Sequence, residues 1–180
     1  MLVVAVVGSP HAGGRTRVAV DAVLRGAAEQ GCDARVLELA ETDTKDAVAA
    51  MGEADAVVFG SPTYRADIAA QLKALLDATP RGMAYESGDP LRGTTCATVL
   101  TGASDHHFLA VEKVRGILGG FFGAQLLSPG LYLPSAAYTD DGRALRDDLQ
   151  ELAELHGRAL VELPTAVRSS RFLRELRPLI

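Results

Sequence analysis

At 180 residues, with 48% hydrophobic and 23% charged residues, the chain has the composition of one α/β domain of ordinary size, long enough to bury a core without staples. A formal net charge of −5 and only nine aromatic residues, four Tyr and five Phe, argue against an electrostatic footprint for nucleic acid or a platform for stacking bases. No apolar run approaches the roughly 18 residues of a membrane span, and the N-terminus lacks the basic region and cleavage site of a secretion signal, so a cytoplasmic protein is expected.

The first element is Leu2 to Val7, six apolar and mostly β-branched residues without alternation, the pattern of a strand buried on both faces of a parallel sheet. It stops at Gly8, and a helical pattern begins at Thr16, a plausible N-cap. The intervening loop therefore joins the carboxyl end of a strand to the start of a helix. Backbone N–H groups and the positive end of the helix dipole favour an anion there. Gly13 and Gly14 permit close approach, and Ser9, Arg15 and Thr16 add donors. The loop is not a P-loop, because Gly14 and Arg15 stand where its Lys and Ser/Thr belong, which argues against nucleotide hydrolysis. Nor is it G-x-G-x-x-G, since Pro10 takes the second glycine's place, although Glu38 near the end of the next strand keeps a dinucleotide reading open.

Helix one runs from Thr16 to Gln30, with Val20, Val23, Leu24, Ala27 and Ala28 at helical spacing and Gly31 as its stop. Ala34 to Leu39 alternates as a second strand, Thr44 to Met51 gives a short helix, and Ala54 to Gly60 a third strand. Such alternation implies a parallel sheet, whose ligands lie outside the carboxyl ends of the strands. A helix is expected over Asp67 to Asp77. The fourth strand is Thr94 to Leu100, followed by the polar loop Thr101 to His107 and a helix ending at Gly119-Gly120. An interrupted fifth strand covers Gln125 to Leu133, and a final helix runs from Leu145 to Leu160 with Leu149, Leu152 and Ala159 inward. Cys32 and Cys96 read as packed thiols. His106 and His107 lack the acidic or thiol neighbours that would close a metal site, and Asp147, Asp148, Glu151 and Glu154 read as a solvated helix face.

Three stretches carry a resemblance: G-S-P-x-x-x-G-R-T from Gly8, G-S-P-T-Y-x-x-x-I-x-x-x-L-K-x-L-L-D from Gly60, and T-G-x-x-x-x-H-x-L-A from Thr101. Together they resemble the NAD(P)H-dependent FMN reductases of the flavodoxin-like class, most of all the reductase components of alkanesulfonate-type two-component monooxygenases. The resemblance implies a three-layer sandwich with a five-stranded parallel sheet in order 2-1-3-4-5, noncovalent FMN, NADPH or NADH as hydride donor, and a homodimer or homotetramer. Its phosphate loop would be Ser9, Arg15 and Thr16. Its ring-contacting loop would be Pro62, Thr63, Tyr64 and Arg65, and its third flavin loop Thr101, Gly102 and Ala103. No acid–base residue is required, since the flavin itself accepts the hydride.

On this reading residues 1–163 form the reductase domain. The reduced flavin would go to a monooxygenase; the alternatives are a reductase that holds FMN and acts on a quinone, azo dye or chromate, and an electron carrier without a nicotinamide site. Residues 164–180 read as a basic amphipathic tail. Arg168, Arg171, Arg174 and Arg177 against Glu175 give it +3, so the rest of the chain carries −8. Phe172, Leu173, Leu176, Leu179 and Ile180 lie between the arginines, as in an arm that docks on a neighbouring subunit.

Overall fold

The computed structural model describes residues 1–176 and 178; the tail residues Arg177, Leu179 and Ile180, and the side chain of Arg174, lie outside the described residues. The elements in order are β1 (Leu2–Val7), α1 (Arg15–Ala28), β2 (Asp33–Glu38), α2 (Thr44–Glu53), β3 (Ala56–Tyr64), β4 (Asp67–Ile68), α3 (Ala70–Ala78), β5 (Thr95–Gly102), α4 (Ala110–Arg115), β6 (Gln125–Leu126), β7 (Leu131–Pro134), α5 (Asp147–Ser169) and α6 (Arg171–Glu175). The sheet runs β2-β1-β3-β5-β6, with β7 also paired to β5, all parallel. This is the flavodoxin-like order, with its fifth position shared by two short strands.

β1 lies between β2 and β3, and alternate residues feed two cores. Val4 and Val6 join Phe59, Leu72 and Leu75 under α2, α3 and α4, whereas Val3, Ala5 and Val7 join Ala19, Val20 and Val23 under α1 and α5. Burial on both faces explains the unbroken apolar run. The α1–α5 layer is close-packed through glycines. A Cβ on Gly26 would lie 1.9 Å from the carbonyl oxygen of Glu154, and one on Gly157 1.9 Å from that of Val23.

Several sequence boundaries move. The residues Asp67 and Ile68 are not helical: they form β4, which turns back antiparallel on Thr63 and Tyr64, and α3 starts only at Ala70. Gly14, not Thr16, is the N-cap of α1. The expected fourth helix is α4 followed by a π-helical stretch over Gly116–Phe121, where the Phe122 amide donates to the Ile117 carbonyl. The inward face of α5 is Ala153, His156, Gly157 and Leu160, whereas Leu152 is exposed, because the approach of α1 demands small residues at the contact. That helix also passes through Pro164 to Ser169. A proline removes one helical hydrogen bond, but Pro164 is buried on the packed face and the helix continues. The separate terminal segment therefore starts at Ser170, whose side chain caps α6 by accepting from the Leu173 amide, and Pro178 comes back against Gly123.

Candidate functional site

The register of the sheet brings the strand-to-helix loops together. Val7 pairs with Gly60, Pro62 with Thr101, and Gly102 with Pro134, so the chain leaves β1, β3, β5 and β7 along one edge. A pocket of about 420 Å³ opens there, lined by Ser9, His11, Gly14, Arg15, Thr16, Pro62, Thr63, Tyr64, Thr101, Gly102, Ala103 and Ser135. Nine of the ten residues singled out from sequence line it. The tenth, Arg65, sits at the tip of the β3–β4 hairpin and does not.

One side of the pocket is built on α1, whose N-cap Gly14 has no side chain to occupy the first-turn amides. The Gly8 amide donates to the Gly60 carbonyl at 2.7 Å, and a Cβ on Gly8 would meet the Leu72 Cβ at 2.6 Å, so only glycine fits beneath the loop. Ser9 turns inward and accepts from the His11 amide at 3.2 Å. Thr16 and Thr101, both buried, join hydroxyl to hydroxyl at 2.9 Å across the pocket floor. Arg15 reaches sideways: its Nη1 donates to Ser135 Oγ at 2.7 Å, its carbonyl accepts from the Tyr138 hydroxyl at 3.0 Å, and its guanidinium lies 5.5 Å from the centre of the Tyr138 ring. Burial pushes the Tyr138 phenol well above its usual range, so it remains a neutral donor.

The opposite side is the end of β3 and its hairpin. Ser61, fully buried, accepts from the Ala69 amide at 2.9 Å and donates to the Pro62 carbonyl, so the motif serine fixes the entry to α3. Thr63 has a buried hydroxyl beside the Tyr132 phenol with no hydrogen bond of ordinary geometry. The Tyr132 hydroxyl donates instead to the Ser104 carbonyl at 2.7 Å. A Cβ on Gly102 would lie 1.9 Å from that phenol oxygen, which accounts for the glycine of the T-G motif. His106 and His107 belong to a single turn after this loop, outside the pocket lining.

Sequence reasoning missed His11 and Ser135. Ser135 lies far along the chain, and only the pairing of β7 with β5 delivers it to the pocket. A larger recess of about 520 Å³ lies between α3, α4 and the segment 79–86, lined by Leu76, Ile117, Phe121 and Phe122. None of the strand-to-helix loops contributes to it. Its lysines, Lys73 and Lys113, already pair with Asp77 and Asp67.

A flavin mononucleotide fits the donor set. The open α1 terminus and left-handed Gly13, φ +69°, suit a terminal phosphate. The Gly13 amide itself is taken by a Glu38 carboxylate oxygen at 2.8 Å, so the donors left for a phosphate are those of the uncapped first turn of α1. The unbonded Thr63 hydroxyl offers a polar contact on the ring side. Among the described residues no group of three or more His, Cys, Asp or Glu side chains is gathered as metal ligands, and no helix is long and apolar enough to cross a membrane.

A doubly wound 2-1-3-4-5 sheet with its pocket at the carboxyl ends of the strands defines a flavodoxin-like α/β protein. Residues 1–138 match the model of the NADPH-dependent FMN reductase family, and the chain belongs to that family. It is similar to an NADH-dependent FMN reductase of Pseudomonas putida, at 31% identity over 56% of this chain and 50% of that protein. It is also similar to an iron–sulfur flavoprotein of Methanocaldococcus jannaschii, at 30% identity over 58% of this chain and 63% of that one. The chain thus spans between half and two-thirds of the length of these curated relatives. Among solved structures, an apo NADH:FMN oxidoreductase superposes with a TM-score of 0.75 at 21% identity, covering 96% of this chain and 93% of that one, a likeness of fold.

Proposed function

We propose that this protein is an NAD(P)H-dependent FMN reductase that transfers a hydride from NADPH or NADH to FMN. The observation that carries the reading is the convergence, on one pocket, of the uncapped N-terminus of α1 with the Pro62–Tyr64 and Thr101–Ala103 segments. Ser9, Arg15 and Thr16 hold the phosphate, and Pro62, Thr63, Tyr64, Thr101, Gly102 and Ala103 border the ring. Bound FMN supplies the two-electron chemistry, while the chain's own task is to orient the ring, leave one face open to the nicotinamide and place backbone N–H groups where negative charge develops. Arg65, at the hairpin tip, is positioned to meet the nicotinamide partner rather than the flavin.

Delivery of reduced flavin to a monooxygenase and assembly as a homodimer or homotetramer belong to the same proposal. Tyr64 is 52% exposed on a loop bordering the pocket, and Phe108 and Leu109, just before α4, are 58% and 64% exposed, apolar surface that a second protein surface would cover. Phe172, 71% exposed on α6, supports the terminal segment as an assembly arm, and deleting residues 170–180 should lower the mass found by light scattering.

The decisive measurement is oxidation of NADPH and of NADH with and without added FMN, together with FMN and riboflavin titrations followed by flavin fluorescence. FMN-dependent oxidation and a marked preference for FMN over riboflavin are expected. Equal affinity for the two flavins removes the phosphate assignment, and flavin binding without nicotinamide oxidation leaves an electron carrier. Tyr64→Ala should slow turnover or raise the nicotinamide KM while leaving the thermal midpoint nearly unchanged.

A further inference from the structure

Glu38 closes β2 opposite Val7, the last residue of β1 before the phosphate loop. An acid at this point in a dinucleotide fold accepts from a ribose. Here both carboxylate oxygens are engaged elsewhere. Oε2 accepts from the Gly13 amide at 2.8 Å, and Oε1 from Arg17 Nη1 at 2.7 Å. Arg17 in turn donates through Nε to Asp21 at 2.8 Å, and these bonds, Asp21 first and Glu38 next, hold its guanidinium above the ordinary arginine value. The Glu38 side chain is only 12% exposed, so its charge-assisted bonds are partly shielded from water.

Gly13 adopts φ +69°, yet a Cβ built on it would meet nothing within 4 Å. The left-handed turn is thus exposed on its side-chain face, and a side-chain bond to its amide comes from Glu38. The same carboxylate grips the first turn of α1 through Arg17, so one residue ties the loop's last stretch to the helix whose amides face the pocket. Arg17 also offsets a negative charge that would otherwise oppose a phosphate dianion.

We infer that Glu38 is a positioning residue for the phosphate loop: by holding the Gly13 amide and Arg17 together, it sets the loop geometry that distinguishes FMN from flavin without a phosphate. This rests on the FMN reading above. The effect is confined to the phosphate, because Glu38 does not itself line the pocket and acts only through the loop and α1.

The test compares FMN and riboflavin dissociation constants, by fluorescence quenching, for the wild type, Glu38→Ala, Glu38→Asp and Glu38→Gln. The aspartate variant keeps the charge but shortens the reach, and guards against loss of fold in the alanine variant. For Ala and Asp the FMN constant should rise about tenfold, as for a lost charge-assisted hydrogen bond, with riboflavin changed less than about twofold. Gln keeps one acceptor oxygen, enough for the Gly13 amide or Arg17 but not for both, so its loss should be intermediate. Unchanged FMN-to-riboflavin ratios in Ala and Asp overturn the role of Glu38 while leaving the FMN reading intact. A wild type without any preference for FMN takes down both.

Discussion

The loop from Gly8 to Gly14 and the hairpin from Tyr64 to Ile68 border the same pocket, but they are held in different ways. Beneath the first, the Gly8 amide is bonded to Gly60, the Gly13 amide to Glu38, and α1 is locked against α5 with glycine at the crossing. The second is a β4 of two residues joined to β3 by Arg65 and Ala66, both non-glycine and both left-handed, at φ 50° and 63°. Such a turn costs on the order of 1 kcal/mol per residue. On the proposed reading, the phosphate, the same in every turnover, meets the wall that is fixed in advance, whereas the partner that approaches the ring meets the strained, exposed hairpin.

The pinned wall is the one to break with the largest effect. In Gly157→Ala the new methyl would lie 1.9 Å from the Val23 carbonyl oxygen and 2.7 Å from the Ala27 nitrogen. Both are backbone atoms, so no rotamer change relieves the clash and α1 must move. A loss of about 3 kcal/mol or more is expected from such overpacking, which lowers the thermal midpoint by roughly 10 °C. A midpoint within two or three degrees of wild type would show that α1 is free to shift and that the wall is not rigid.

Next in size is Arg15→Ala, which removes a cation from the pocket at the start of α1, the proposed phosphate site. FMN affinity should fall by about 1–3 kcal/mol and riboflavin affinity should not change. Because Arg15 also bonds Ser135 at 2.7 Å, a Ser135→Ala variant separates direct phosphate contact from mere anchoring. If Ser135→Ala reproduces the whole effect, the guanidinium acts only through its anchor.

The difference between the walls also explains what was legible in the sequence. Loop one announced itself, since a buried β-branched run followed by Gly, Ser and Pro and then a helical period is a local pattern. The three-loop convergence followed from alternating strands and helices, and so did the sheet order once the motifs were recognised. The hairpin was hidden. Arg65-Ala66 carries no turn signal, because the favoured residues for two consecutive left-handed positions are Asn and Gly, so Asp67 and Ile68 read as the start of a helix. Ser135 and the anchoring role of Glu38 were equally invisible, being products of strand register rather than of local sequence. The inward face of α5 is legible only in part: Leu149 does pack against the second core, but Ala153 and Gly157 look like gaps in an apolar stripe, yet the first is buried in that core and the second lies against α1.

The hairpin can be sharpened in the other direction. Ala66→Gly removes a left-handed alanine, worth about 1 kcal/mol, and adds unfolded-chain freedom worth about half of that, for a net gain near 0.5 kcal/mol. Urea unfolding should move to a slightly higher midpoint. Turnover is the informative second reading: a more stable variant with slower turnover would tie the strain to function, and a less stable one would show that this turn stores no strain.

The smallest effect belongs to the ion pair that tethers the hairpin to α4. Lys113 Nζ lies 2.9 Å from Asp67 Oδ2, and together with the Ile68 amide, 2.8 Å from Oδ1, it holds the Asp67 carboxyl below its usual value. Both side chains are about half exposed, at 51% and 55%, so solvent screening limits the pair to below about 1 kcal/mol. The sign follows from linkage. A carboxyl whose folded pKa is depressed contributes stability above its unfolded pKa of about 3.9, and loses it as the pH falls through the lower folded value. Asp67→Asn keeps an oxygen for the Ile68 amide and removes only the charge. The stability difference between wild type and variant should therefore be present at about pH 7, hold to about pH 5 and close at pH values below the carboxyl's folded pKa, and it should shrink in about 1 M salt. A difference that survives both low pH and high salt would place the tether in the backbone geometry of the hairpin instead of in its charge.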